Sequence, residues 1–303
     1  MRYLFLFILT VSTAIASPRE EAEALLNSLS EESSIVKKMD LASSRFLGFP
    51  YGKNGPLGEG PQGRYDQDPL YRFDTFDCTT FVETIVSLAL ARNTDDFEMQ
   101  MDKIRYENAD VDYLKRNHFP SLQWIPNNVS NGLLREINDS VVSTKEQKIA
   151  EAVINLPGWL KKIKIDQLSV PMATSEEKEI LIKELNDLAS SYSPIVAKIN
   201  YIPIDYLVQK PALLKRIPHG SIVNMVRPNW DLTEAAGTHM NVSHQGFLFR
   251  KNKVLYLRHA STTGSVLEQP FIDYLKKFVG HATLKGIHLM KVSTSNKFLI
   301  FKF

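Results

Sequence analysis

FDCTTFVETIVSLALA, residues 76–91, reads as a buried helix that begins at Cys78. Phe81, Val82, Ile85, Leu88 and Ala89 recur at helical spacing and form an apolar stripe. Asp77 stands where an N-cap residue is expected, one position before the first apolar-periodic turn. Cys78 then falls in the first helical turn. There the free backbone N–H groups and the helix dipole favour a negative charge, so the placement predicts a lowered thiol pKa and a site able to hold an oxyanion. A cysteine used only as a small core hydrophobe fits better in the middle of the stripe, at positions such as Ile85 or Leu88.

Cys78 is the only cysteine in 303 residues. Its isolation matters because the N-terminus reads as an export signal. Arg2 supplies a positive charge, Tyr3 to Ile15 an apolar run, and Ala14-Ile15-Ala16 a small-x-small cleavage site before Ser17. Exported proteins ordinarily use cysteines in disulfide pairs, so a lone thiol needs burial or a task. The run is short for a membrane span and no second stretch of about 20 apolar residues follows, so stable membrane insertion after signal cleavage is not expected. Net charge is +2, with Lys and Arg dispersed and no basic run, which argues against a nucleic-acid partner.

Upstream of the helix, Gly48 to Leu70 is rich in Gly and Pro, and its aromatic content points to an ordered loop lining something. Before it, Arg19 to Leu29 and Ile35 to Leu47 have helical periodicity. Downstream, residues from about 95 to 215 read as a mostly helical insertion, with Ser175 to Ser190 its clearest helix and a short strand near Lys148 to Leu156. From Ser221 the pattern changes to short β-rich runs: 221–226, 242–249, 253–258, 284–292 and 297–303, with a helix over 268–279. Lys251-Asn252 marks a hairpin between the second and third runs. Helices first and an antiparallel sheet afterwards predict an α+β fold.

A thiol nucleophile needs a base, normally an imidazole held by a third group. Of the seven histidines, His244 opens SHQGFLF and shares a strand face with Gly246 and Leu248, while His259 closes the next strand in LRHAS. The hairpin brings both toward one end of the sheet, where a cross-strand pair would fix the tautomer of the base. A lone histidine is more often a structural hydrogen-bonder, which is the expectation for most of the others. His239 and His244 are five positions apart and no H-E-x-x-H run is present, so a zinc amidase is disfavoured and no cofactor is expected. Three N-x-S sequons, at Asn128, Asn138 and Asn241, read as random occurrences.

FDCTTFVE, SHQGF and RHAS, in that order, resemble the motifs of the NlpC-type cell-wall cysteine hydrolases. PYGKNGPLGEG, DQDPLYRFDTFDCTTFVET, IRY, RNHF and IPHGSIVNMVRPNW are similar to the N-acetylmuramoyl-L-alanine amidase-like branch, formerly a domain of unknown function, over about residues 48–292. The resemblance implies a papain-like core, with a Cys-bearing helix packed on an antiparallel sheet, as one domain over 17–303 after a signal peptide at 1–16. It implies Cys78 as nucleophile, His244 as general base and His259 as the orienting residue. It further implies Asp77, Tyr51 and His118 as substrate contacts and the LGEG loop as a cleft wall. The substrate class implied is peptidoglycan or its muropeptides, and the location periplasmic or secreted in a bacterium. The branch implies cleavage of the muramoyl–L-Ala amide, whereas the wider family more often cuts between D-Glu and a diamino acid. A secreted effector with another amide target, or a wall- or partner-binding module that kept the scaffold, is the alternative.

Overall fold

Capping residues delimit the helices of the N-terminal layer in the computed structural model, which describes residues 16–52 and 56–293. Ser17 forms a capping box with Glu20 at the start of α1 (Pro18–Leu29). Ser34, Asp77 and Asn93 cap α2 (Ile35–Arg45), α3 (Cys78–Leu90) and α4 (Thr94–Arg105). The chain continues through α5 (Ile125–Ser130), β1 (Leu134–Glu136), β2 (Lys148–Ile154), α6 (Leu156–Lys162) and α7 (Ser175–Ala189). It then forms β3 (Ile195–Pro203), α8 (Ile204–Gln209), β4 (Ser221–Leu232), α9 (Thr233–Ala236), β5 (Thr238–Lys251), β6 (Val254–Ala260), β7 (Val266–Pro270), α10 (Phe271–Lys276) and β8 (Gly286–Val292).

The strands form one antiparallel sheet in the order β2-β3-β8-β4-β5-β6-β7, with β1 also paired to β8. Helices on both sides of this sheet make the fold α+β, as the sequence predicts. One sheet face packs on α3: Phe81 meets Phe247 of β5 edge-to-face at 5.9 Å, and Phe249 and Ile222 join the same core. The other face, with Leu248, Leu257 and Leu289, packs on Leu207 of α8 and on Phe271 and Leu275 of α10. Because α3 is enclosed by α2, α4 and the sheet, its buried residues run from Thr80 to Ala89 around the whole helix rather than along one stripe.

The β5–β6 hairpin turns on Asn252 and Lys253, both with positive φ (48° and 68°), as a two-residue type I′ connection requires. Arg258 on β6 is completely buried and ties the hairpin to α2. It pairs with Asp40 (2.9 Å) and Glu268 (2.5 Å), donates to Ser43 Oγ (2.6 Å) and lies 4.6 Å over the Phe249 ring. Such a desolvated cation is held only while all its partners stay in place.

Several boundaries differ from the sequence reading. Residues 95–215 hold the short strand expected near Lys148, as β2, but are less helical than expected: they also supply β1 and β3, and the β2–β3 hairpin extends the sheet through β8. The helix expected over 268–279 is shorter, because Val266–Pro270 pairs with β6 as β7 and α10 starts at Phe271. The expected strand at 297–303 and the leader sequence up to Ile15 lie outside the described residues. Among the described residues, no helix is long and apolar enough to cross a membrane.

Candidate active site

Asp77 sets the start of α3. Its Oδ1 accepts from Thr80 N (2.7 Å) while its own N–H donates to Thr80 Oγ1 (3.0 Å), a reciprocal cap. Cys78 is therefore the first helical residue, with a backbone N–H that no helical carbonyl can reach. Tyr51 lies beside this entry: its bridge to Phe76, with Gly52 N donating to Phe76 O (2.9 Å), brings the loop alongside the cysteine. Burial, then the proximity of Cys78 and Asp77, pushes the Tyr51 phenol up to about 12.

The thiol departs from the sequence expectation. Burial, reinforced by the Asp77 carboxylate, pushes Cys78 up to about 12, against the opposing pull of nearby N–H groups, among them that of Gln245. Desolvation of the thiolate thus outweighs the helix-start dipole, and the resting group is a neutral thiol.

Gln245 directly follows His244. On the sheet face away from Phe247, His244 Nε2 meets His259 Nδ1 at 2.6 Å, with the rings edge-to-face. The register Phe247↔Arg258 makes this a diagonal cross-strand contact. Gly246 lies between the two histidines in sequence and opposite His259 in the strand register. A Cβ there would sit 2.9 Å from Arg258 O and 2.9 Å from His259 Cβ, so the missing side chain permits the close approach. The second nitrogen of His259, Nε2, meets Gln269 Nε2 of β7 at 3.1 Å, and Lys277 Nζ donates to Gln269 Oε1 at 3.1 Å. Burial lowers both imidazoles, His244 to about 3 and His259 to about 4, so both are neutral near pH 7.

His244 and His259 open onto a cleft of about 530 Å³ whose lining includes Arg227, Trp230, Ser243, Ser261, Tyr274 and Lys277. Tyr274 packs edge-on to His259 at 5.7 Å, and its phenol is pushed up to about 12 by burial, opposed by Arg227 and reinforced by Cys78. The sequence reading missed Gln269, Tyr274, Arg227, Trp230 and Lys277. Gln269 belongs to a strand read as helix, so its face was not predictable. Arg227 and Trp230 carried a signal, lying within IPHGSIVNMVRPNW, but nothing in that run specifies their direction.

Two expectations need correction. His118 does not contact Cys78, His244 or His259. It packs with Tyr113, Phe119 and Trp159 (4.5 Å between the His118 and Trp159 centroids), its Nε2 faces Tyr113 O at 2.7 Å, and burial lowers it to about 3. Glu59 of the LGEG loop turns inward. Arg116 pairs with Glu59 (2.5 Å) and Asp66 (2.9 Å), and Arg105 donates to Leu57 O (3.3 Å), so these bonds fix the loop. The sequons are buried: the Asn128, Asn138 and Asn241 side chains donate to backbone carbonyls of Ile104, Asn200 and Ala197 and are closed to a glycan in the folded chain. His239 lies near Asp231 (3.8 Å). Among the described residues, no group of three or more His, Cys, Asp or Glu is placed to hold a metal ion.

A helix-start cysteine packed on an antiparallel sheet that carries a histidine pair defines a class of candidate hydrolases. The particular family follows from comparison with known proteins. Residues 41–281 match the AmiA-like family, described as N-acetylmuramoyl-L-alanine amidase-like, and the chain belongs to that family. The crystal structure of a Legionella pneumophila protein assigned to family DUF1460 is similar, at 35% identity over 91% of this chain and 94% of that one, with a TM-score of 0.86. An N-acetylmuramoyl-L-alanine amidase from Bacteroides uniformis shares the fold at 22% identity, over 86% of this chain and 99% of that one, with a TM-score of 0.60. No curated protein matches the sequence.

Proposed function

We propose that this chain is an exported cysteine amidase of peptidoglycan that hydrolyses the amide between the muramic acid lactyl group and L-Ala. The observation that carries the reading is the 2.6 Å His244–His259 pair, next in sequence to Gln245, whose backbone N–H reaches the Cys78 thiol, within an amidase-like family. The Cys-helix-on-sheet arrangement supports a papain-like core. The positive Arg2, the apolar run from Tyr3 to Ile15 and the Ala14-Ile15-Ala16 site support export to the periplasm or beyond.

In the proposed reaction the resting pair is neutral, so proton transfer accompanies attack. His244 Nε2 faces His259, which leaves Nδ1 to take the thiol proton as sulfur adds to the lactyl carbonyl carbon. For His244 Nδ1 to be the acceptor, its Nε2–H donates to His259 Nδ1 and His259 Nε2–H to Gln269 Oε1; the half-turn of the amide that this needs takes Oε1 away from Lys277 and frees its ammonium. The Cys78 N–H faces the developing oxyanion. As the C–N bond breaks, His244 returns the proton to the leaving L-Ala amine. Water, deprotonated by His244, then cleaves the thioester and releases the lactyl carboxylate and the thiol.

The test is mass spectrometry of muropeptides incubated with wild type and with Cys78→Ala. Peptides beginning with L-Ala plus unsubstituted disaccharide, formed by wild type alone, are the expected result. Disaccharide still carrying L-Ala-D-Glu would replace this reading with endopeptidase action, and equal turnover by folded Cys78→Ala would end the cysteine mechanism.

A further inference from the structure

Among the described residues, the cleft beside the histidine pair is lined by two cations and by no Asp or Glu. Arg227 is half-buried. Its Nε donates to Ser243 Oγ (3.0 Å), Nη1 donates to Thr283 Oγ1, and the guanidinium lies 5.2 Å over the Trp230 ring. These contacts fix the plane of the fork, while no carboxylate pairs with it and Nη2 has no partner among the described residues. Burial without a counter-charge pushes Arg227 down from its ordinary value. Lys277 likewise has a neutral partner, Gln269 Oε1. The other groups facing this space, His244, His259 and Tyr274, are neutral near pH 7, so their charge does not offset the two cations. A protein seldom leaves a partly desolvated, preorganised guanidinium without an acid unless an anion arrives from outside.

We propose that Arg227 and Lys277 form a carboxylate-binding subsite that seats a free carboxylate of the substrate peptide next to the amide presented to Cys78 and His244. The inference rests on the reading of this cleft as the hydrolytic site. It names the feature by which the cleft selects its substrate: a planar carboxylate, which the fork can take through two parallel N–H···O bonds, over the isosteric but uncharged carboxamide. Lys277 adds a point charge at the Gln269 side of the cleft.

The experiment uses two muramoyl dipeptides, N-acetylmuramoyl-L-Ala-D-Glu and its α,γ-dicarboxamide counterpart, so that one ligand carries free carboxylates and the other none, with binding measured calorimetrically on full-length Cys78→Ala. The carboxylate form is expected to bind roughly tenfold or more tightly. That preference should shrink in 0.5 M salt and in Arg227→Gln or Lys277→Gln built on Cys78→Ala, with Arg227→Lys restoring part of it. Circular dichroism and thermal melts identify any variant that fails to fold, in which case the salt dependence and Lys277→Gln decide. Equal affinity for the two ligands, or a preference that persists in both Gln variants, overturns the subsite. If wild type turns over neither ligand while Cys78→Ala keeps the preference, the hydrolase reading fails and the subsite stands.

Discussion

Gly246→Ala tests whether the histidine pair depends on a missing side chain. A methyl group built on Gly246 meets His259 Cβ and Arg258 O, each at 2.9 Å, and Leu257 Cδ1 at 3.0 Å. Non-bonded carbons settle at about 3.5–4.0 Å, so β6 must retreat by roughly 0.6–1 Å. The Arg258 oxygen is backbone, and the buried ion pairs of Arg258 hold β6 against α2, so no flexible side-chain end can absorb the shift. The same displacement would stretch the 2.6 Å His244–His259 contact to about 3.2–3.6 Å, at or past the limit of a hydrogen bond. Overpacking of this kind costs about 1–3 kcal/mol of stability, and a misplacement of about 1 Å in a catalytic group costs on the order of 10²-fold in rate. The assay pairs urea unfolding with muropeptide turnover, with Cys78→Ala setting the background. A folded Gly246→Ala protein that turns over within twofold of wild type would refute the reasoning.

Other outcomes follow from the same contacts. With Cys78 raised to about 12 and His244 lowered to about 3, alkylation of the resting thiol by iodoacetamide should be slow at pH 7 and climb through pH 9. A fast rate, level from pH 6 upward, would reveal a preformed thiolate and contradict the neutral pair. Gln269→Leu removes the amide from His259 and should lower kcat by roughly fivefold, the worth of about 1 kcal/mol for one hydrogen bond, and shift the pH profile. An unchanged kcat and profile would remove Gln269 from the chain. His118, lowered to about 3 when folded against about 6.5 unfolded, takes up a proton on unfolding between those values. Its contribution is complete above pH 6.5 and is lost as pH falls toward 3. Wild type should therefore lose stability relative to His118→Phe by on the order of 1 kcal/mol per pH unit between pH 6 and 4.5. Parallel stability curves for the two proteins would show that His118 is not held neutral.

The positions of α3 and the β5–β6 hairpin were legible because their signals are local. An acidic cap before an apolar helix and a tight turn between alternating strands each act within a few residues. Those two signals already placed Cys78 at a helix start and His244 near His259. Even the inward turn of Gly246 follows from alternation along one strand. The thiol's ionisation was not legible. The dipole at the helix start can be read from position, but the larger desolvation comes from burial by the tertiary fold, which no local signal records.

The sequence by itself determined the α+β class, the capped cysteine, the histidine hairpin and the family motifs, since each is fixed by neighbours along the chain. Tertiary structure alone decided that β1, β2 and β3 join the sheet, because strand partners far apart in the chain, such as Leu134 with Val292 and Ile202 with Ile287, are chosen by which apolar faces can be covered. It also sent His118 into an aromatic cluster and Glu59 into a buried ion pair rather than to the cleft. The same packing decided which polar residues face the histidines. Gln269, Arg227 and Lys277 lie on three separate segments, two of them in β7 and β4, and nothing local records that the fold turns all three toward one cavity.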